Sequence, residues 1–299
     1  MPIDTAACPR CLAVLLVLAL TWTVRAQTPA DKPLCRNGLL QVVSPDAGDM
    51  TQDQCRAVTG KTMAAWRFAA GLNGWTRLAD TEKHPLTERL ISVSRMRIEH
   101  PGVLGFSRGG TLFVVSLAVL DDPFANGTLA HELAHIQAYR ALGSRARPGL
   151  VPRYFIEGHG LSIGRSYRDH LGVLTRDFDT HKAGQIAKLT AAEAQTILTD
   201  NRYASRGSHE NDVMESMGIF FVEYLRVRCR GGIPDVVPRM ARVFEAVGSG
   251  QSYEPAFQQQ FGVPITQVVS EVVSFMKRTE SNPAARLKAT RYEGLVRKP

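Results

Sequence analysis

Apolar positions fall into three regimes along this chain. Residues 11–24 are a largely apolar run, residues 27–60 are mostly polar with Pro and Asp, and from about residue 62 the apolar positions become periodic. Met63, Ala64, Trp66, Phe68 and Ala69 recur at helical spacing before Asn73-Gly74, which predicts a helix over 62–72. Residues 90–93 with their continuation, and 112–119, carry strand patterns, with Arg108-Gly109-Gly110 as the turn before the second. Leu129, Leu133 and Ile136 with Ala130, Ala134 and Ala141 predict a helix that Asn126 or Thr128 caps. Leu142-Gly143 ends it, with Arg140 in the favourable last turn. A loop rich in Arg, Gly and Pro (144–152) leads to a second helix around Glu157. Thr190-Ala191-Ala192-Glu193 is a capping box opening a helix over 190–198, and the chain is largely helical from there to about residue 278.

These elements predict an α+β fold. A small mixed β-sheet packs on the central helices and a mainly helical C-terminal lobe follows. One domain would span 27–280: a sheet-containing part to about 125, the central helices at about 127–165, and the helical lobe at about 190–280. Residues 27–60 would wrap the surface, and 281–299 would form a basic, flexible tail.

The N-terminal run changes the picture of compartment. Arg10 precedes a short apolar stretch that ends at Val24-Arg25-Ala26, the pattern of a signal peptide cleaved after Ala26. The run is short for a spanning helix, which needs about 20 residues. A secreted or periplasmic protein is the expectation, and no Cys at position 27 offers a lipid anchor. Of the five cysteines, Cys35, Cys55 and Cys229 remain after cleavage. Cys35 and Cys55 flank a short polar stretch and could close a loop, leaving Cys229 over, although other pairings stay open. The formal net charge of +8 is scattered apart from the 145–153 loop and the tail. It allows weak association with an anionic envelope surface, and no nucleic-acid motif accompanies it.

Candidate chemistry centres on His131-Glu132-Leu133-Ala134-His135. On a helix, histidines four residues apart share one face and can hold one Zn²⁺ per chain, while the intervening Glu132 can reach a metal-bound water. Glu157, 22 residues past His135, lies among Tyr154, Phe155, Ile156 and Leu161. A carboxylate in such surroundings needs a strong partner, which makes it the candidate third ligand. The segment 110–117, read as a strand leading into the metal helix, would form the edge of a substrate cleft. The alternative for the histidines is a pair of surface helix residues, and for Glu157 a carboxylate at a helix N-terminus. His84, His100, His170 and His181 carry no partner pattern.

The H-E-x-x-H run with Glu-Gly in a downstream aromatic segment resembles the gluzincin, thermolysin-like zinc metallopeptidases. The likeness covers roughly residues 90–277, with residues 218–225 and the segment after Phe261-Gly262-Val263 similar to the family's later helices. The resemblance implies that His131, His135 and Glu157 bind zinc and that Glu132 is the general base for attack on a peptide carbonyl. It also implies a Tyr or His beyond the third ligand that stabilises the oxyanion, for which Tyr203 and His209 are the candidates. Two positions depart from the family pattern. Leu161 stands where an Asp often supports a zinc histidine, and His159 stands where a small residue is usual.

The expected function is therefore an exported zinc-dependent peptidase acting on a peptide or protein substrate. The alternatives are a non-catalytic peptide- or partner-binding protein that keeps the fold, and an amidase acting on cell-wall peptides. A two-His-one-carboxylate iron oxygenase uses the same ligand types, but its ligands are not usually set in H-E-x-x-H on one helix.

Overall fold

The computed structural model describes residues 32–37, 40–44, 51–75, 86–92, 105–108, 110–116, 122–173, 176–202 and 207–278. The signal-peptide reading of 1–26 and the tail 281–299 lie outside them.

Five strands, β1 (Lys32–Asn37), β2 (Leu40–Ser44), β3 (Leu86–Ile91), β4 (Gly105–Arg108) and β5 (Leu112–Ser116), form one mixed sheet in the order β1-β2-β3-β5-β4. The β1/β2 and β4/β5 pairs are antiparallel, and β3 pairs in parallel with β2 and with β5. A parallel pair needs a crossover. Helix α1 (Gln52–Asn73) lies in the one between β2 and β3. A capping box between Thr51 and Gln54 starts α1, and Gly74, at φ 72°, ends it. Its buried stripe of Val58, Ala65, Trp66, Ala69 and Leu72 belongs to the same core as Leu40, Val42, Leu86 and Leu90 of the sheet.

Helix α2 (Pro123–Leu142) starts from an Asp122 cap that accepts from the Phe124 amide, with Pro at its first position, and stops at Gly143, φ 58°. Leu129, Ala130, Leu133, Ala134, Ile136 and Ala138 are all buried along it. Helix α3 (Arg153–His170) runs back along α2. Gly160 abuts the His135 ring, Gly164 abuts Gly127 and His131, and the Arg168 guanidinium stacks 3.9 Å from the Phe124 ring. On the other side of α3, Gly158 meets Gly218 backbone to backbone, where a Cβ on Gly158 would lie 2.4 Å from the Gly218 carbonyl oxygen.

The remaining helices are α4 (Arg176–Ala187), α5 (Ala191–Thr199), α6 (Ser208–Cys229), α7 (Ile233–Gly248), α8 (Tyr253–Phe261) and α9 (Ile265–Arg278). Phe155 of α3 makes edge contacts with Phe221, Phe244 and Phe257, which ties α6, α7 and α8 to the central pair. The architecture is α+β: a small mixed sheet against central helices, with helices thereafter. No helix among the described residues is long and apolar enough to cross a membrane. Cys55 is disulfide-bonded, and Cys229 is a free, half-buried thiol.

Four expectations change. Residues 27–60 do not only wrap the surface. They supply β1, β2 and the first half of α1, because Leu40, Val42 and Val43 are buried in a strand too short to register as periodic. Helix α1 begins ten residues before the expected start, since its capping box lies upstream of the apolar stripe. Asn126 and Thr128 sit inside α2, and the cap is Asp122, which a following Pro at the first helical position favours. Segment 110–117 does hold a strand, β5, but it is shorter than the expected 112–119 and, among the described residues, lies inside the sheet with β4 at the edge beside α2.

Candidate metal centre

His131 and His135 project from one face of α2, and Glu157 reaches them from α3. The Nε2 atoms of the two imidazoles are 2.7 Å apart, and Oε2 of Glu157 lies 3.3 Å from His131 Nε2 and 3.1 Å from His135 Nε2. The rings stand at 88° to one another. The glycines at 160 and 164 permit this approach, since side chains there would fill the space the two histidines use.

All three residues are buried, at 9%, 5% and 9% exposure. Three acceptor-bearing atoms that converge on one point cannot all be satisfied by one shared proton, whereas one cation satisfies them together. A tetrahedral ion with bonds of 2.0–2.1 Å sets ligand edges of about 3.3–3.4 Å, which the Glu157 edges already match closely. His131, His135 and Glu157 thus form a group that could hold one metal ion.

Electrostatics follow the same geometry. Burial would push the Glu157 carboxyl up, but the His135 imidazole and the bonds from both histidines outweigh it and hold it well below the usual carboxylate range. Burial would lower His135, but the facing Glu157 raises it above the usual histidine value. His131 is lowered by burial and by the neighbouring His135.

Glu132 stands apart from the tripod, with Oε1 3.8 Å from His131 Nε2. Burial, reinforced by Glu157, pushes its carboxyl up to about 7 despite His135 and a hydrogen bond from Ser107 of β4. β4, the edge strand among the described residues, therefore lies against the candidate base.

Of the two oxyanion candidates, Tyr203 lies outside the described residues, and His209 is exposed in the first turn of α6. His159 is neither a cleft nor a loop residue. It is fully buried in α3, donates from Nε2 to Oδ1 of Asn73 at 2.7 Å, and packs against Phe244 and Trp75. Asn73 donates to Gln137 at 2.9 Å, and Gln137 donates to the Trp66 carbonyl at 3.0 Å. These hydrogen bonds tie α3, α1 and α2 together behind His131 and His135. Burial, with His135 and His131, lowers His159 to about 3, so it is neutral. Leu161 is buried and offers no acceptor, and Nδ1 of His135 has no hydrogen-bond partner among the described residues. His170 stacks on Tyr167, and His181 pairs with Asp212.

Some groups around the centre were not anticipated. Arg153, one turn before Glu157, lies 3.4 Å from Glu157 Oε1, and Ser107 binds Glu132. Tyr139, one turn past His135 on the same face of α2, is raised by burial and by the nearby Glu157. Their i−4 and i+4 spacing from the ligands was the available signal for Arg153 and Tyr139.

No protein-family model matches the chain, and no curated protein matches it.

Proposed function

We propose that this chain is an exported, zinc-dependent metallopeptidase of the gluzincin type that hydrolyses peptide bonds. The observation that carries the reading is the convergence of His131, His135 and Glu157 within 2.7–3.3 Å of one another, with a second buried acid, Glu132, beside them and outside the ligand set. Two imidazoles and one carboxylate are the donor set of a catalytic rather than a structural zinc site. Zinc held by His131, His135 and Glu157 would supply a Lewis acid, lowering the pKa of a bound water toward about 7 and polarising a carbonyl.

Glu132 supplies the proton handling. Its buried carboxylate, beside the ligand set, takes a proton from the attacking water and returns it to the leaving amine nitrogen. Ser107 fixes the orientation of that carboxylate, and the β4 edge beside it can align an extended peptide by backbone pairing. A structural metal site or a pure binding module has no use for a buried acid that stands beside the ligand set without joining it, which favours the enzyme over a non-catalytic relative. The apolar run at 11–24 supports export to the periplasm or the medium.

The test is cleavage of a mixed peptide library by the protein lacking residues 1–26, beside its Glu132→Gln variant. The proposal expects hydrolysis by the wild type, and a variant that keeps its metal and loses turnover by about 100-fold or more. Equal hydrolysis by both would remove Glu132 from the chemistry.

A further inference from the structure

The two oxygens of Glu157 face different partners. Oε2 points between the imidazoles, 3.1 Å and 3.3 Å from their Nε2 atoms, while Oε1 lies 3.4 Å from Nε of Arg153. The Arg153 guanidinium is itself anchored. Its Nη2 donates to Oδ1 of Asn211 on α6 at 2.8 Å. Asn211 donates in turn to Oε1 of Glu215 at 2.8 Å, and Glu215 Oε2 accepts from the buried Lys182 of α4 at 3.1 Å. Lys182 also pairs with Asp212. A relay of polar contacts thus runs from α4 and α6 to the far oxygen of the third ligand.

We infer that Arg153 is the positioning residue of the metal centre. By engaging Oε1 from a guanidinium held by Asn211, it leaves Oε2 as the one oxygen offered to the ion. The inference rests on the metal-site reading of His131, His135 and Glu157. An unrestrained carboxylate turns about its terminal bond and can bind through both oxygens, taking two positions around the ion. A catalytic ion needs one of those positions open.

Helix stability does not account for an arginine at this place. Arg153 is the first residue of α3, whose first turn holds no acid and whose Pro152 cap makes no side-chain bond. A cation there opposes the helix dipole. Its side chain is 48% exposed against 12% for Glu157, and a half-exposed i,i+4 ion pair contributes only modestly to folding. Lysine cannot replace it fully. An ammonium is a point charge, whereas the planar fork reaches Glu157 through Nε and Asn211 through Nη2 at once.

The experiment loads metal-free wild type, Arg153→Ala, Arg153→Lys and Asn211→Ala with cobalt(II). It reads the visible absorption and, by chelator competition, the affinity, with a thermal melt of each metal-free protein alongside. Four-coordinate cobalt absorbs strongly in the visible, and five-coordinate cobalt does so weakly. The expected result is a strong band in wild type. Arg153→Ala should weaken it and lose affinity by about 10–100-fold, Arg153→Lys and Asn211→Ala should fall between, and all melts should stay close to wild type. Arg153→Ala with unchanged band and affinity overturns the inference and leaves the metal site standing. A lower melt and affinity with an unchanged band also overturns it, by making Arg153 a stabilising residue only. Wild type that takes up no cobalt overturns this inference and the metal reading together.

Discussion

Replacing Gly160 with Ala adds a single carbon to the face of α3 that lies against His135. That carbon would stand 2.8 Å from Cε1 of the imidazole and 3.2 Å from each ring nitrogen. Non-bonded carbons settle at about 3.5 Å or more, so roughly 0.7 Å must be found. Helix α3 cannot supply it cheaply. Its Gly158 lies against the Gly218 backbone on one side and its Gly164 against the Gly127 carbonyl on the other, each so close that a Cβ there would stand 2.4 Å and 2.5 Å from the facing carbonyl oxygen. The ring is the softer element, and Nε2 moves with it. Metal–ligand bonds tolerate displacements of about 0.2 Å, so the shift should cost one ligand much of its bond. The expected loss of zinc affinity is about 10–100-fold, or roughly 1.4–2.7 kcal/mol. The fold itself should hardly notice, because Ala exceeds Gly in helix propensity by about 1 kcal/mol and offsets the contact strain. Zinc affinity by competition with a chromophoric chelator, together with melting of the metal-free protein, separates the two effects. A Gly160→Ala protein that binds zinc as tightly as wild type would refute the argument that this glycine exists to admit the His135 ring.

Two further predictions concern stability. Gly218→Ala places a Cβ 2.6 Å from the Tyr154 carbonyl oxygen and 2.7 Å from the Gly158 nitrogen, both backbone; overpacking of this kind should cost about 2–3 kcal/mol, read as a lowered melting temperature, and an unchanged melt would mean that α3 and α6 separate freely. Glu88 is fully buried against Thr62, which donates to it at 2.7 Å, and burial pushes its carboxyl up from 4.5 to about 8. The folded chain therefore keeps a proton that the unfolded chain releases. Stability from this group is fully present below about pH 4.5 and falls as pH rises toward 8, by at most about 5 kcal/mol. Glu88→Gln should flatten the fall in melting temperature across that window, and a parallel fall in both proteins would place its cause elsewhere.

The cluster of His131, His135 and Glu157 was more legible in the sequence than the framework that holds it. H-E-x-x-H on a helix announces its own geometry, because i,i+4 spacing alone puts His131 and His135 on one face, and their Nε2 atoms do converge. Glu157 was legible for a different reason: an acid among apolar residues needs a partner. The strand after 110 and the capping box at Thr190 carried local signals that the fold keeps, while the strand expected from residue 90 begins four residues earlier, at Leu86. Strand β2 was not legible, since five residues offer too few alternations, and its burial comes from α1, β1 and β3. The order of the sheet was hidden too. Placing β5 inside and β4 at the edge depends on pairings between segments far apart in the chain. His159 looked like a departure beside the candidate ligands. Its role as a neutral buried link to Asn73 depends on α1 arriving behind α3, which no local pattern reveals.

The central claim is that His131, His135 and Glu157 hold one zinc ion. Elemental analysis of the purified protein lacking residues 1–26, wild type beside His135→Ala after identical incubation with zinc and desalting, tests it most directly. The account predicts about one zinc per chain in wild type and little in the variant, as a three-ligand site requires. No zinc in wild type, or equal zinc in both proteins, would contradict it.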